Sequence, residues 1–196
     1  MKTGPGKPPK IVLGIVGSPR KKGNTDVLVS RLLAGAHAEG AATDKIYLGD
    51  QHIRECDGCH VCWQGKPCSK KDDMNDLYSK IAESDVIVFG TPVYWYGPTA
   101  LMKAFIDRFV YFNCTVNRPG IRGKEAVIVI PFEEEDNATV EPLVTFFDKS
   151  LSYLEMVTTG RIIAPGTTVR GEVGRRPDLM DRALELGKEV ARPSHG

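Results

Sequence analysis

The chain has no apolar run long enough to cross a bilayer. Its 26 Lys and Arg nearly cancel its 25 Asp and Glu, leaving a formal net charge of +1. With neither sign in excess, nothing argues for nucleic acid or an acidic membrane surface as a partner. Histidine is scarce: His37, His52, His60 and His195 show no pairing in sequence. There is no paired-carboxylate and no Ser–His–Asp pattern, so hydrolysis has no candidate residues. Met1 to Pro9 is polar and rich in Gly, Pro and Lys. It lacks the apolar core of a signal peptide and reads as a flexible lead-in to a cytoplasmic protein. No repeat and no internal linker interrupts residues 10–192, which read as one domain.

What is present is ordinary in bulk and unusual in one place. The 196 residues are 41% hydrophobic and 26% charged, enough for one sizeable core. Four of the five cysteines, however, fall in one short run: Cys56, Cys59, Cys62 and Cys68, spaced C-x2-C-x2-C-x5-C. Free clustered thiols fit a reducing compartment better than a disulfide scaffold. The fifth, Cys114, stands apart and reads as a small buried residue.

Apolar runs at Lys10–Val16, Asp44–Leu48, Val86–Phe89, Ala126–Phe132 and Val157–Ile163 predict five strands. Helical patterns alternate with them: from Asn24 through Leu33, from Asp72 through Ile81, from Pro98 through Phe109, over Thr139–Leu154 and over Pro177–Ala191. Such alternation predicts a doubly wound α/β sheet with helices on both faces. Pro165–Arg176 reads as a surface loop, and Asn113–Lys124 as an irregular connection.

Two loops sit where an open α/β sheet binds ligands, beyond the carboxyl ends of its strands. The first, Gly17-Ser-Pro-Arg-Lys-Lys-Gly-Asn-Thr25, joins strand one to helix one. A helix N-terminus there offers free N–H groups to a phosphate. Ser18, Asn24 and Thr25 add side-chain donors, and Arg20 adds a charge. The plainer alternative is a capped helix beside a basic loop. The second loop, Gly90-Thr-Pro-Val-Tyr-Trp-Tyr-Gly-Pro98, follows strand three. Its three consecutive aromatics suit a planar ring, or packing on the next helix or a partner subunit.

These blocks, with Cys56–Cys62 (CDGCHVC), Cys68 followed by Lys70-Lys71-Asp72-Asp73-Met74, and the continuation through Arg108 (GTPVYWYGPTALMKAFIDR), carry a resemblance. Nearly the whole chain resembles the flavodoxin-like NADPH-dependent FMN reductase superfamily, and most closely its iron–sulfur flavoprotein branch. The resemblance implies a flavodoxin-like three-layer sandwich with a five-stranded parallel sheet in the order 2-1-3-4-5. It implies FMN, with its phosphate held by Ser18, Arg20, Gly23, Asn24 and Thr25. Pro92, Val93, Tyr94 and Trp95 then line the isoalloxazine, and Gly97 allows close approach. The branch implies a [4Fe–4S] cluster on Cys56, Cys59, Cys62 and Cys68, passing electrons to FMN, and a homodimer or homotetramer. The donor it implies is NAD(P)H or ferredoxin, and the acceptor a small molecule.

One stretch departs from the pattern. Many relatives have a glycine-rich loop after strand four, where this chain reads Pro131-Phe-Glu-Glu-Glu-Asp-Asn137. Its acidic residues read as a solvated loop capping the following helix. The cysteine run itself admits three readings: an iron–sulfur cluster, thiols without metal, or zinc, which the overlapping C-x2-C-x2-C fits less well. A cluster-free NAD(P)H-dependent FMN or quinone reductase, and a non-catalytic thiol redox sensor, therefore stand beside the electron-transfer flavoprotein.

Overall fold

The computed structural model describes residues 8–193. The expected flexible segment 1–9 falls outside the described residues except for Pro8 and Pro9, and so does His195. Five parallel strands form one sheet: β1 (Ile11–Val16), β2 (Ala42–Tyr47), β3 (Val86–Gly90), β4 (Glu125–Pro131) and β5 (Val157–Ala164). Their order is β2-β1-β3-β4-β5, the flavodoxin-like arrangement expected from the sequence. The helices are α1 (Asn24–Ala38), α2 (Met74–Glu83), α3 (Ala100–Asp107), α4 (Glu141–Tyr153) and α5 (Pro177–Ala191).

The strand sequences explain the three layers. β1, β3 and β4 are central and buried on both faces, so they read as continuous apolar runs. Alternate residues feed two cores. Leu13, Ile15, Ile87, Phe89, Ile128 and Ile130 meet α2, α3 and α4 on one face. Val12, Val16, Val86, Val88, Val127 and Val129 meet α1 and α5 on the other. The first core is aromatic, with Phe89 and Phe105 both edge-on to Phe109. The second is narrow, because α1 and α5 pack backbone to backbone. A Cβ on Gly35 would lie 2.0 Å from the Leu184 carbonyl oxygen, and one on Gly187 1.9 Å from that of Leu32. Only glycine permits this approach.

Element ends shift where caps decide them. Helix α3 begins at Ala100 rather than Pro98, because the Thr99 hydroxyl accepts from Met102 N–H at 3.2 Å and caps it. Its far end tightens into a 3-10 turn, Arg108–Phe112. Helix α4 begins at Glu141, after a separate 3-10 turn at Asn137–Thr139. Among the described residues no helix is long and apolar enough to cross a membrane.

Candidate functional site

Strand β1 ends at Val16, and the chain turns sharply into α1. Gly23 N–H donates to the Arg20 carbonyl at 3.0 Å. A Cβ on Gly23 would meet that oxygen at 2.8 Å, so the turn needs glycine. Gly23 is also the N-cap of α1, and it has no side chain to satisfy the first helical N–H groups. The turn is held from behind by Asp26, which is 4% exposed. Its carboxylate accepts from Lys22 N–H at 2.7 Å, from Lys45 at 2.9 Å and from the Tyr47 hydroxyl at 2.9 Å. Lys22 thereby keeps a left-handed φ of 57°. Burial pushes the Asp26 carboxyl up, but Lys45 and the backbone bond outweigh it and leave its pKa below the ordinary value.

The loop after β3 is tied to this turn. Gly17 N–H donates to the Gly90 carbonyl at 2.7 Å, and the buried Thr99 hydroxyl donates to the Gly17 carbonyl at 2.5 Å. Thr91, fully buried, accepts from Thr99 N–H at 3.2 Å. Between the two loops lies a cleft of ≈ 140 Å³. Ser18, Arg20, Gly23, Asn24 and Thr25 line one part of it, and Pro92, Val93 and Tyr94 another. One part offers hydroxyls, an arginine and an uncapped helix end. The other offers ring and aliphatic surface.

Sequence reasoning missed a third wall. Thr167, Thr168 and Arg170 also line the cleft, with Pro131, Phe132 and Glu133. Pro165–Arg176 therefore does more than cover the surface. Asn24 is its staple: the amide donates to the Thr167 and Val169 carbonyls at 3.3 and 3.0 Å and accepts from Val173 N–H at 3.3 Å. The Asn24 side chain is thus committed to the loop, leaving its backbone N–H for an anion. Arg170 Nε donates to the Lys21 carbonyl at 2.9 Å and closes the same junction. Glu133, Glu134, Glu135 and Asp136 are exposed, and Asp136 caps the following 3-10 turn through Ala138 N–H at 2.9 Å.

The cysteines gather at a second place. Cys56, Cys59, Cys62 and Cys68 all line one enclosed cavity, together with Asp57, Lys70, Tyr78 and Arg108. Gly58 and Gly65 take left-handed φ values of 69° and 73° to bend the loop around it. All five cysteines are free. Burial pushes the Cys62 thiol up, and the neighbouring Cys68 adds to the effect. Among the described residues no three His, Cys, Asp or Glu side chains are close enough to hold a single metal ion. Cys114 is half-buried, and its Sγ lies 3.6 Å from the Cys62 carbonyl, so it packs on this loop rather than standing apart. The two sites share no lining residue. Helix α3 links the two regions: Thr99 before its start bonds the Gly17 carbonyl of the first loop, and Arg108 at its end lines the cysteine cavity, nine residues or about 14 Å apart along a helix.

The family model described as NADPH-dependent FMN reductase matches residues 11–165. The chain belongs to the NADPH-dependent FMN reductase family. It is 40% identical over 191 residues to an iron-sulfur flavoprotein of Methanocaldococcus jannaschii, covering 92% of this chain and 95% of that one. To an iron-sulfur flavoprotein of Archaeoglobus fulgidus it is 30% identical over 179 residues, covering 91% and 78%. Among solved structures, an NAD(P)H:quinone oxidoreductase from Methanothermobacter marburgensis matches with a TM-score of 0.69 at 18% identity, covering 95% of this chain and 97% of that one. That likeness is one of fold. Within the family the chain falls in the iron-sulfur flavoprotein branch and is a flavin-dependent oxidoreductase.

Two residues of the second loop lie outside the cleft's lining. Trp95 and Gly97 do not line the cleft. Tyr94 and Gly97 exchange both backbone hydrogen bonds, at 2.9 and 3.0 Å, so Trp95 and Tyr96 form a two-residue turn. Their φ values are 49° and 63°, a left-handed pair costing roughly 1–2 kcal/mol each for residues that carry a Cβ. This turn projects Trp95 outward, 96% exposed, with Tyr96 beside it at 60%.

Proposed function

We propose that the cleft binds FMN and that the chain moves electrons between a reduced donor, NAD(P)H or ferredoxin, and a small acceptor, with a [4Fe–4S] cluster on Cys56, Cys59, Cys62 and Cys68. The observation that carries the flavin reading is the split chemistry of one cleft. The uncapped end of α1, Ser18, Thr25 and the arginines Arg20 and Arg170 suit a phosphate. Pro92, Val93 and Tyr94 suit a flat apolar ring. FMN, when bound, supplies both hydride and single-electron transfer, and a cluster supplies single-electron transfer only. The chain's own share is to fix the phosphate, present backbone and aromatic surface to the ring, and keep the junction of the three loops rigid.

The donor set supports the cluster. Four soft thiols converge on one cavity flanked by the cations Lys70 and Arg108, which offset thiolate charge. Zinc is disfavoured by the spacing, since structural zinc sites use two separated C-x-x-C pairs rather than an overlapping C-x2-C-x2-C. A polynuclear cluster holds its thiolates farther apart, since metal and sulfide lie between them. The cavity is only ≈ 20 Å³, about the space of a water, so the exposed loop must open outward to receive a cluster. That small volume favours a second reading, a cluster-free NAD(P)H-dependent FMN or quinone reductase. Trp95 and Tyr96, exposed side by side, support assembly into a homodimer or homotetramer.

Protein purified without oxygen decides between the readings. FMN with iron and acid-labile sulfide supports the first, and FMN without them the second. Failure of NADH, NADPH and reduced ferredoxin alike to reduce the bound flavin would point instead to a thiol redox sensor.

A further inference from the structure

Arg108 is the largest fully buried side chain among the described residues, at 1% exposure. Its guanidinium donates twice to Asp72, at 2.6 and 3.1 Å, and once to the Arg54 carbonyl at 2.8 Å. Its fourth hydrogen bond is to Cys68, whose Sγ lies 3.3 Å from Nη2, and the Tyr78 side chain also lies beside it. Asp72 in turn accepts from Arg54 N–H at 3.0 Å, and its side chain is fully buried. One ion pair therefore clamps both ends of the cysteine loop: the backbone two residues before Cys56, and the last cysteine.

Closing the loop does not explain the fourth bond. Asp72 and the Arg54 backbone already satisfy the clamp, and a buried ion pair is weak evidence of stabilisation, since desolvation offsets its attraction. The bond to sulfur places the positive end of the pair on one cysteine of the four. Hydrogen bonds and positive charge at a cluster's sulfurs stabilise its reduced, more negative form. We propose that Arg108 is a positioning residue for the cysteine site: it fixes Cys68 as a ligand and raises the reduction potential of the cluster held there. This inference rests on the cluster reading above. It places the tuning group at one end of α3, whose other end is tied through Thr99 to the flavin cleft. The same helix then sets the geometry of one site and the potential of the other.

The test uses anaerobically purified full-length protein, with iron content, FMN content and a redox titration of the cluster's spectroscopic signal. Three forms are compared: the natural protein, Asp72→Asn, and the double variant Arg108→Gln with Asp72→Asn, which keeps two amides to bond each other. Asp72→Asn leaves the guanidinium uncompensated beside Cys68 and is expected to raise the potential. The double variant removes the nearer positive charge and is expected to lower it. A purely structural clamp predicts no such opposite shifts. Iron retained in all forms with potentials unchanged, or shifted in the same direction, overturns the inference and leaves the cluster reading intact. Natural protein that holds FMN but no iron overturns the cluster reading and the inference with it. If the double variant does not fold, Arg108→Lys decides. Lysine keeps a cation for Asp72 but cannot bond Asp72 and Cys68 together, so a lower potential with iron retained is expected, and an unchanged one overturns the proposal.

Discussion

Replacing Thr99 with Val probes the junction on which the flavin cleft depends. The side chain is 2% exposed, so the substitution is isosteric and buried. Two bonds disappear. Met102 N–H loses its cap on α3, which costs about 1 kcal/mol. The Gly17 carbonyl loses its donor in a buried setting, which costs about 1–3 kcal/mol. The sum is about 2–4 kcal/mol, and for a chain of this size each kcal/mol lowers Tm by about 2–4 °C. The expected fall in Tm is therefore roughly 4–16 °C. The Gly17–Gly90 backbone bond remains, so the loops should loosen rather than part. Displacement of one good hydrogen bond to the phosphate, about 1 kcal/mol, weakens FMN about fivefold. Thermal melts and titration of the apoprotein with FMN measure both effects. Thr99→Ser keeps the hydroxyl and should stay near the natural protein in both. Equal Tm and equal FMN affinity for the Val and Ser forms would refute the claim that this hydroxyl couples the loops.

Arg20→Ala should weaken FMN about tenfold, the low end of the range for a bond to a charged group, while riboflavin binding stays unchanged; titrations with the two flavins check this. Gly35→Ala forces a methyl onto the Leu184 carbonyl and should destabilise by about 1–3 kcal/mol in a denaturant melt, with FMN affinity intact in the folded protein. Asp26 has a lowered folded pKa, so its stabilising share is fully present above its unfolded value of about 3.9 and is lost as pH falls through the folded value. Asp26→Asn should therefore flatten the acid limb of the Tm–pH curve and leave the protein less stable at pH 7. Cys59→Ala should spare FMN and abolish iron, read from flavin absorbance and an iron assay on the same sample.

The sheet was legible because both faces of β1, β3 and β4 are covered, so burial imprints uninterrupted apolar runs with glycine at their ends. Edge strand β2 was offset by two residues at its start, since Ala42 and Thr43 are exposed and carry no apolar signal. The turn between β1 and α1 was legible from its helix-capping chemistry and strand–loop–helix setting. Its third wall was not: Thr167, Thr168 and Arg170 reach the cleft across about 150 positions of sequence, stapled by Asn24, and no local pattern encodes that contact. A run of Thr and Arg in a glycine-rich loop was the only available signal. The outward turn at Trp95 was hidden for a related reason. Its chemistry suits a flavin ring, but the left-handed turn that turns it outward depends on paired backbone bonds between Tyr94 and Gly97. The cysteine set was legible from spacing alone. Its clamp, Arg108 on Asp72, required the fold to bring the end of α3 against the start of α2.

The visible absorption spectrum of protein purified and kept without oxygen tests the central claim most directly. The account predicts flavin bands riding on a broad iron–sulfur shoulder, in a ratio of one FMN to one cluster per chain. A colourless protein that takes up no FMN would contradict the reading of the cleft, and flavin bands with no shoulder would contradict the reading of the cysteines.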